Sequence, residues 1–175
     1  LRFMSRLGFR LDDETAKALR QNAFRLKTIS RERIFSELSG IICGKNACDT
    51  VTEYADVISV ALPELFAGGA FMLKRLPDEL HLRFAALFKN ADDAENGMFS
   101  LKSPRKLRER VVALRRLIPL PDDEKAILIL GIDNPPEILR EAAYWNSTGK
   151  TADIIDRLRM QNAFVSSKSL GIPTQ

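Results

Sequence analysis

The single histidine sets the first limit on what chemistry this chain can support. His81 stands between Leu80 and Leu82, inside an apolar run with helical spacing, and reads as structural. One imidazole cannot build a two-histidine metal site or the ligand set of an HD-type phosphohydrolase. Cys43 and Cys48 lie close together in a helical context with no second pair elsewhere, which suggests neither a disulfide framework nor a zinc site. A reducing cytoplasm is the expected compartment. The acid pairs Asp12-Asp13, Asp92-Asp93 and Asp122-Asp123 have the chemistry of magnesium ligands. The first and third, however, open helices, where capping and the helix dipole account for them, and the second falls in a polar stretch beside Gly97. Gly68-Gly69 lacks the Lys-Ser/Thr that a phosphate-cradling loop requires. No residue is assigned a catalytic or metal-binding role.

What remains is positive charge. The net charge of +4 conceals blocks of alternating sign. Residues 1–45 and 102–116 hold most of the excess Lys and Arg, while residues 46–101 and 117–175 are richer in acids. Local density of this kind is what a polyanion senses, through phosphate contacts and counterion release. The candidate phosphate-contacting residues are Arg2, Arg6, Arg31 and Arg33 in the first block, with Arg10 nearby. In the second they are Arg105, Lys106, Arg108, Arg110, Arg115 and Arg116. The steps from Arg105 to Arg108 and from Lys106 to Arg110 place two ridges of charge along one helix. Two other readings of that helix stay open: a solvated face paired to acids elsewhere, and a surface that docks on an acidic protein.

The elements that must carry these charges are helices. Strand signals are nearly absent, and apolar residues recur at three- and four-residue steps, so the expected fold is all-α, an elongated bundle of about eight helices. Leu1 to Leu7 reads as a helix tail stopped by Gly8. A helix then opens at Asp12 and runs to Lys27, and another is capped by Ser30. Asn46 to Ala61 gives one or two helices before Pro63. Pro77 opens a core helix through Asn90, and Ser103-Pro104 opens the basic helix through Leu117. Three helices follow, starting near Pro121, Pro135 and Thr151, with an irregular tail beyond Phe164. The expected division falls near residue 66, giving regions 1–66 and 67–175. The chain shows no apolar run near 18 residues, and without Met at position 1 it reads as part of a longer protein.

Two stretches carry a family resemblance. Leu1-Arg2-Phe3-Met4-Ser5-Arg6-Leu7-Gly8-Phe9, followed by Ile29-Ser30-Arg31-Glu32-Arg33-Ile34-Phe35-Ser36-Glu37-Leu38, resembles the neck of class II tRNA nucleotidyltransferases and the related bacterial poly(A) polymerases. Weaker similarity continues through Leu62-Pro63-Glu64-Leu65 and Leu82 to Phe88. Relatives there continue with His-Asp-Ile-Gly-Lys, whereas this chain has Lys89-Asn90, so an HD-like segment would be degenerate and at most a scaffold. The stretch Val165 to Pro173 is similar to a family segment ending in LGIP. The resemblance implies a parent enzyme that adds CCA or adenosines to the 3′ end of RNA, using nucleoside triphosphates and Mg2+ bound by an N-terminal catalytic domain absent from this sequence. This chain would then hold tRNA by its phosphate backbone, in the cytoplasm and away from membranes, with no cofactor of its own. Arg31, Glu32, Arg33 and Glu37 would form helix-surface or inter-helix ion pairs, a bracing role favoured for Glu32 and Glu37.

Overall fold

Helix-spaced apolar residues and strong start signals organise almost the whole chain. The computed structural model describes residues 1–146 and 149–164, and every regular element among them is helical: eleven α-helices and three short 3-10 segments. The tail that resembles the LGIP segment lies outside the described residues. No described helix is long and apolar enough to cross a membrane. The chain forms two compact units, Leu1–Arg115 and the residues from Arg116 onward.

In the first unit, α1 (Arg2–Leu7) ends at Gly8, whose φ of 75° is the left-handed conformation that glycine adopts without a Cβ penalty. Asp12 caps α2 (Asp13–Asn22) by accepting from the Thr15 amide, and the chain then tightens into a 3-10 segment, Ala23–Thr28. Ser30 caps α3 (Arg31–Ile42), which buries Ile34, Leu38, Ile41 and Ile42 on one stripe. The helices α4 (Ala47–Glu53) and α5 (Ala55–Ala61) follow, joined at the buried Tyr54.

The expected seam near residue 66 lies inside this unit. The Phe66 amide donates to the Leu87 carbonyl at 2.7 Å, and the 3-10 segment Ala67–Lys74 packs on α4. The helix expected over 77–90 is shorter, α6 (Leu80–Ala86). Asn90 instead starts α7 (Ala91–Ser100), a stretch whose polarity and Gly97 suggest a loop. The Asn90 side chain accepts from the Asp93 amide at 2.8 Å, Asp92 and Asp93 occupy the first turn, and Ala94, Gly97 and Met98 are buried at helical spacing. The basic helix is α8 (Arg105–Leu117), and its last residues cross into the second unit. Phe84, Leu87, Phe88, Met98, Leu101 and Leu114 are fully buried, each contributing about 1.5–3 kcal/mol of transfer free energy. Phe35 and Phe84 stack with ring centres 5.5 Å apart.

The second unit holds α9 (Glu124–Asp133), α10 (Pro136–Ala142), a 3-10 turn Ala143–Trp145 and α11 (Lys150–Met160). Asp123 caps α9 by accepting from the Ala126 amide, and Pro136 occupies a first-turn position of α10. Ile127, Leu139 and Ile155 are among its fully buried aliphatics. Arg140 bonds Asp156 at 3.0 Å, and Arg157 pairs with Glu124.

Candidate nucleic-acid interface

The first basic block is built around a tight backbone contact. Ser5 of α1 is fully buried, and its hydroxyl donates to the Ile41 carbonyl near the end of α3. The Ser5 carbonyl accepts twice from Asn46, from the backbone amide at 2.8 Å and from the side-chain amide at 3.2 Å. Such an approach requires Gly44 in the α3–α4 turn, because a Cβ there would sit 2.6 Å from the Ser5 carbonyl. The other side of that turn is clamped by the buried Arg83. Its guanidinium donates to the carbonyls of Ile42 at 2.6 Å, Leu76 at 3.3 Å and Pro77 at 3.0 Å, and it pairs with Asp78 at 3.4 Å. The turn therefore has little freedom to move.

These contacts frame an open cleft of about 390 Å³ between α1 and the turn. Phe3, Arg6 and Leu7 line it from α1, Cys43 and Lys45 from the turn, and Asp78 from the loop before α6. Phe3 is 64% exposed although large and apolar. Arg6 and Lys45 are exposed and make no ion pair among the described residues. Asp78 is compensated by Arg83, so the balance in the cleft is positive. Burial, then the neighbouring Asp78, pushes the Cys43 thiol up to about 11, which leaves it protonated and a poor nucleophile at neutral pH.

The other candidate residues separate into available and engaged cations. Arg33 is exposed on the first turn of α3 without a side-chain partner, and Arg10, Lys17 and Lys27 are similarly placed among the described residues. Arg2 pairs with Glu37 at 3.1 Å while lying 5.7 Å from the Phe3 ring centre. Arg31 donates to the Ala61 carbonyl at 2.8 Å and braces α3 against the end of α5.

On α8, Arg105 pairs with Glu109 at 2.7 Å, Arg108 lies over Phe99, and Arg115 donates to the Lys89 carbonyl. Burial draws the Arg115 guanidinium below its ordinary range. Arg110 also has a partner, whereas Lys106 and Arg116 are exposed without one among the described residues. Glu32 takes Lys102 at 3.0 Å; its own backbone amide and then that lysine hold its carboxyl below the usual range. Glu32 and Glu37 thus both brace other segments of the fold.

Charge counting overlooked the aromatics. Phe3 with Arg2, Phe24 with Arg25 and Phe99 with Arg108 are exposed rings carrying a guanidinium 5.3–5.9 Å from the ring centre. Phe9, beside Arg10, is exposed as well. The dipeptides Arg2-Phe3, Phe9-Arg10 and Phe24-Arg25 were the available signal: an aromatic next to a cation suits stacking on bases with a nearby phosphate contact.

The carboxylates do not fit a magnesium site. Asp12 and Asp123 cap helices, Asp92 and Asp93 sit in a first turn, and Asp122 accepts from Asn146 and Thr151. Among the described residues, no group of three His, Cys, Asp or Glu side chains is placed to hold a metal ion.

Residues 8–65 match the family described as "Probable RNA and SrmB- binding site of polymerase A". The matched stretch contains α2 to α5, the turn bearing Lys45, and most of the available cations of the first block. No curated protein and no solved structure gives a significant match to the chain.

Proposed function

We propose that this chain is the RNA-holding portion of a tRNA nucleotidyltransferase or poly(A) polymerase, positioning tRNA so that its 3′ end reaches a separate catalytic domain. The observation that carries the reading is the coincidence of two independent features. The family match to an RNA-binding site covers the same residues that expose Arg10, Arg33 and Lys45 without ion pairs among the described residues. Cations without protein partners can exchange bound counterions for phosphate, which is the main source of sequence-independent affinity for RNA. The acid pairs serve as helix caps, first-turn charges and hydrogen-bond acceptors, so on this reading the metal ions, the nucleoside triphosphates and the chemistry belong to the catalytic domain of a cytoplasmic parent enzyme.

The test is a titration of the chain with folded tRNA, and with unstructured RNA of equal length, over a range of salt concentrations. The expected result is binding that weakens with salt by about 0.9 in log-log slope per phosphate contacted in helical RNA, and tighter binding of the folded tRNA. Absence of binding at low salt would overturn the reading, and equal affinity for both RNAs would remove its tRNA component.

A protein-docking reading has one observation in its favour. An apolar cleft of about 350 Å³ opens between the 3-10 segment after α2, α3 and α5, with Leu26, Ile29, Ile34, Leu38 and Ile58 in its walls. The description of the matched family also names SrmB as bound. Under that reading the chain acts as a purely structural or protein-interaction domain, and RNA titration gives no saturable signal.

A further inference from the structure

We infer that the cleft between α1 and the α3–α4 turn is a seat for one unpaired nucleotide of a single-stranded RNA segment, with Phe3 as the stacking surface and Arg6 and Lys45 as the phosphate contacts. The inference rests on the RNA-holding reading and makes it more specific. Four features of the cleft support it. Its volume, about 390 Å³, is at the small end of the range for small-ligand sites and suits one nucleotide rather than a duplex. One wall is the exposed ring of Phe3, joined by the exposed Leu7, and a planar aromatic stacks on any base. Arg2, paired with Glu37, lies 5.7 Å from the Phe3 ring centre and places a guanidinium beside the stacking surface. The remaining charge is positive, since Asp78 is matched by Arg83 while Arg6 and Lys45 are unmatched among the described residues.

Rigidity makes the site more than a chance grouping. The bonds from Ser5 to Ile41 and from Asn46 to Ser5 hold the turn to α1, and Arg83 holds the Ile42 carbonyl. The backbone segments that carry Phe3 and Lys45 therefore keep their spacing without a ligand, which lowers the ordering cost of binding. A nucleotide inside a duplex cannot present its face to Phe3, because both of its faces are already stacked in the helix. Selectivity for unpaired RNA follows from that geometry.

The experiment compares binding of a fluorescent six-residue oligoadenylate with binding of a duplex of equal charge, using the full chain, Phe3→Ala, Phe3→Tyr and the double variant Arg6→Gln/Lys45→Gln. Phe3 is exposed, so its truncation should leave the fold intact, and circular dichroism verifies this. The expected result is a loss of roughly 5- to 150-fold in oligoadenylate affinity for Phe3→Ala, the range of one stacked base. Phe3→Tyr should restore it, and duplex binding should be unchanged. The double variant should weaken the oligonucleotide and flatten its salt dependence by about 1.4 in log-log slope, from 0.7 for each of two single-strand contacts. If Phe3→Ala leaves oligoadenylate affinity unchanged, or lowers duplex affinity equally, the nucleotide seat is wrong while the wider RNA-holding reading stands. If no RNA binds the full chain, both fail.

Discussion

The two basic blocks of this chain look alike in composition and differ in what their charges are doing. In the first block, Arg6, Arg10, Arg33 and Lys45 have no acidic partner among the described residues and are accompanied by the exposed aromatics Phe3, Phe9 and Phe24. In the second, the cationic density is higher, yet Lys102 is taken by Glu32, Arg105 by Glu109 and Arg115 by the Lys89 carbonyl, which leaves Lys106 and Arg116 as its exposed cations without a partner among the described residues. A charge already satisfied by the protein must give up that partner before it can bind phosphate, so the density of Lys and Arg in a sequence overstates the charge available to a ligand. The denser block is thus the weaker candidate for binding RNA.

The largest effect expected from breaking this contrast is on stability. Arg83→Met removes the clamp on the turn that carries Lys45 and leaves three carbonyls without their donor, at about 1–3 kcal/mol for each one that stays buried and unpaired. Denaturant unfolding should show a loss of about 3 kcal/mol or more. Arg115→Met, which removes one carbonyl contact of a half-buried guanidinium in the second block, should cost about 1 kcal/mol in the same assay. Equal losses would mean that the turn is not held as described.

A smaller change should move the second block toward the first. Glu109→Gln releases Arg105 from its exposed ion pair and removes a negative charge from α8, so RNA affinity at low salt should rise by about twofold, with stability altered by less than about 0.5 kcal/mol. No change in affinity would show that α8 does not face RNA even when its charge is released.

The second unit supplies a control that lies outside both blocks. Hydrogen bonds to Asp122, from Thr151 first and then Asn146, hold its carboxyl below the usual range. Because the folded-state value is depressed, the stabilisation is present above the ordinary carboxylate range and is lost as pH falls through the folded-state value. Thermal melts should therefore decline below about pH 4, and Asp122→Asn should make that decline shallower. An unchanged profile would show that these bonds do not favour the ionised form.

Much of the fold was legible in the sequence because its helices carry strong local signals. Gly8, Asp12, Ser30 and Pro136 stop, cap or open helices where expected, and the Ile34, Leu38 and Ile41 spacing gives the buried face of α3. The start of α7 is hidden because Asn90 follows directly on the apolar run of α6 and suggests its end, whereas its side chain caps the next helix. The boundary between units falls within the last turn of α8, whose helical signal runs through it, and the nearest breakers, Pro119 and Pro121, come only after that helix ends. The candidate site was half legible. Charge could be counted, but which arginines are engaged depends on partners such as Ala61 and Lys89, 26 or more residues away in the chain, and no spacing rule reveals them.

The most direct test of the account is a salt-dependent tRNA titration of three proteins: the unaltered chain, a first-block variant with Arg10→Gln, Arg33→Gln and Lys45→Gln, and an α8 variant with Arg105→Gln, Arg108→Gln and Arg115→Gln. The predicted result is a first-block variant that binds at least about tenfold more weakly, with a log-log slope reduced by about 2–3, and an α8 variant whose slope changes by less than about 1. A larger loss in the α8 variant would contradict the claim that availability of charge, rather than its density, locates the RNA surface.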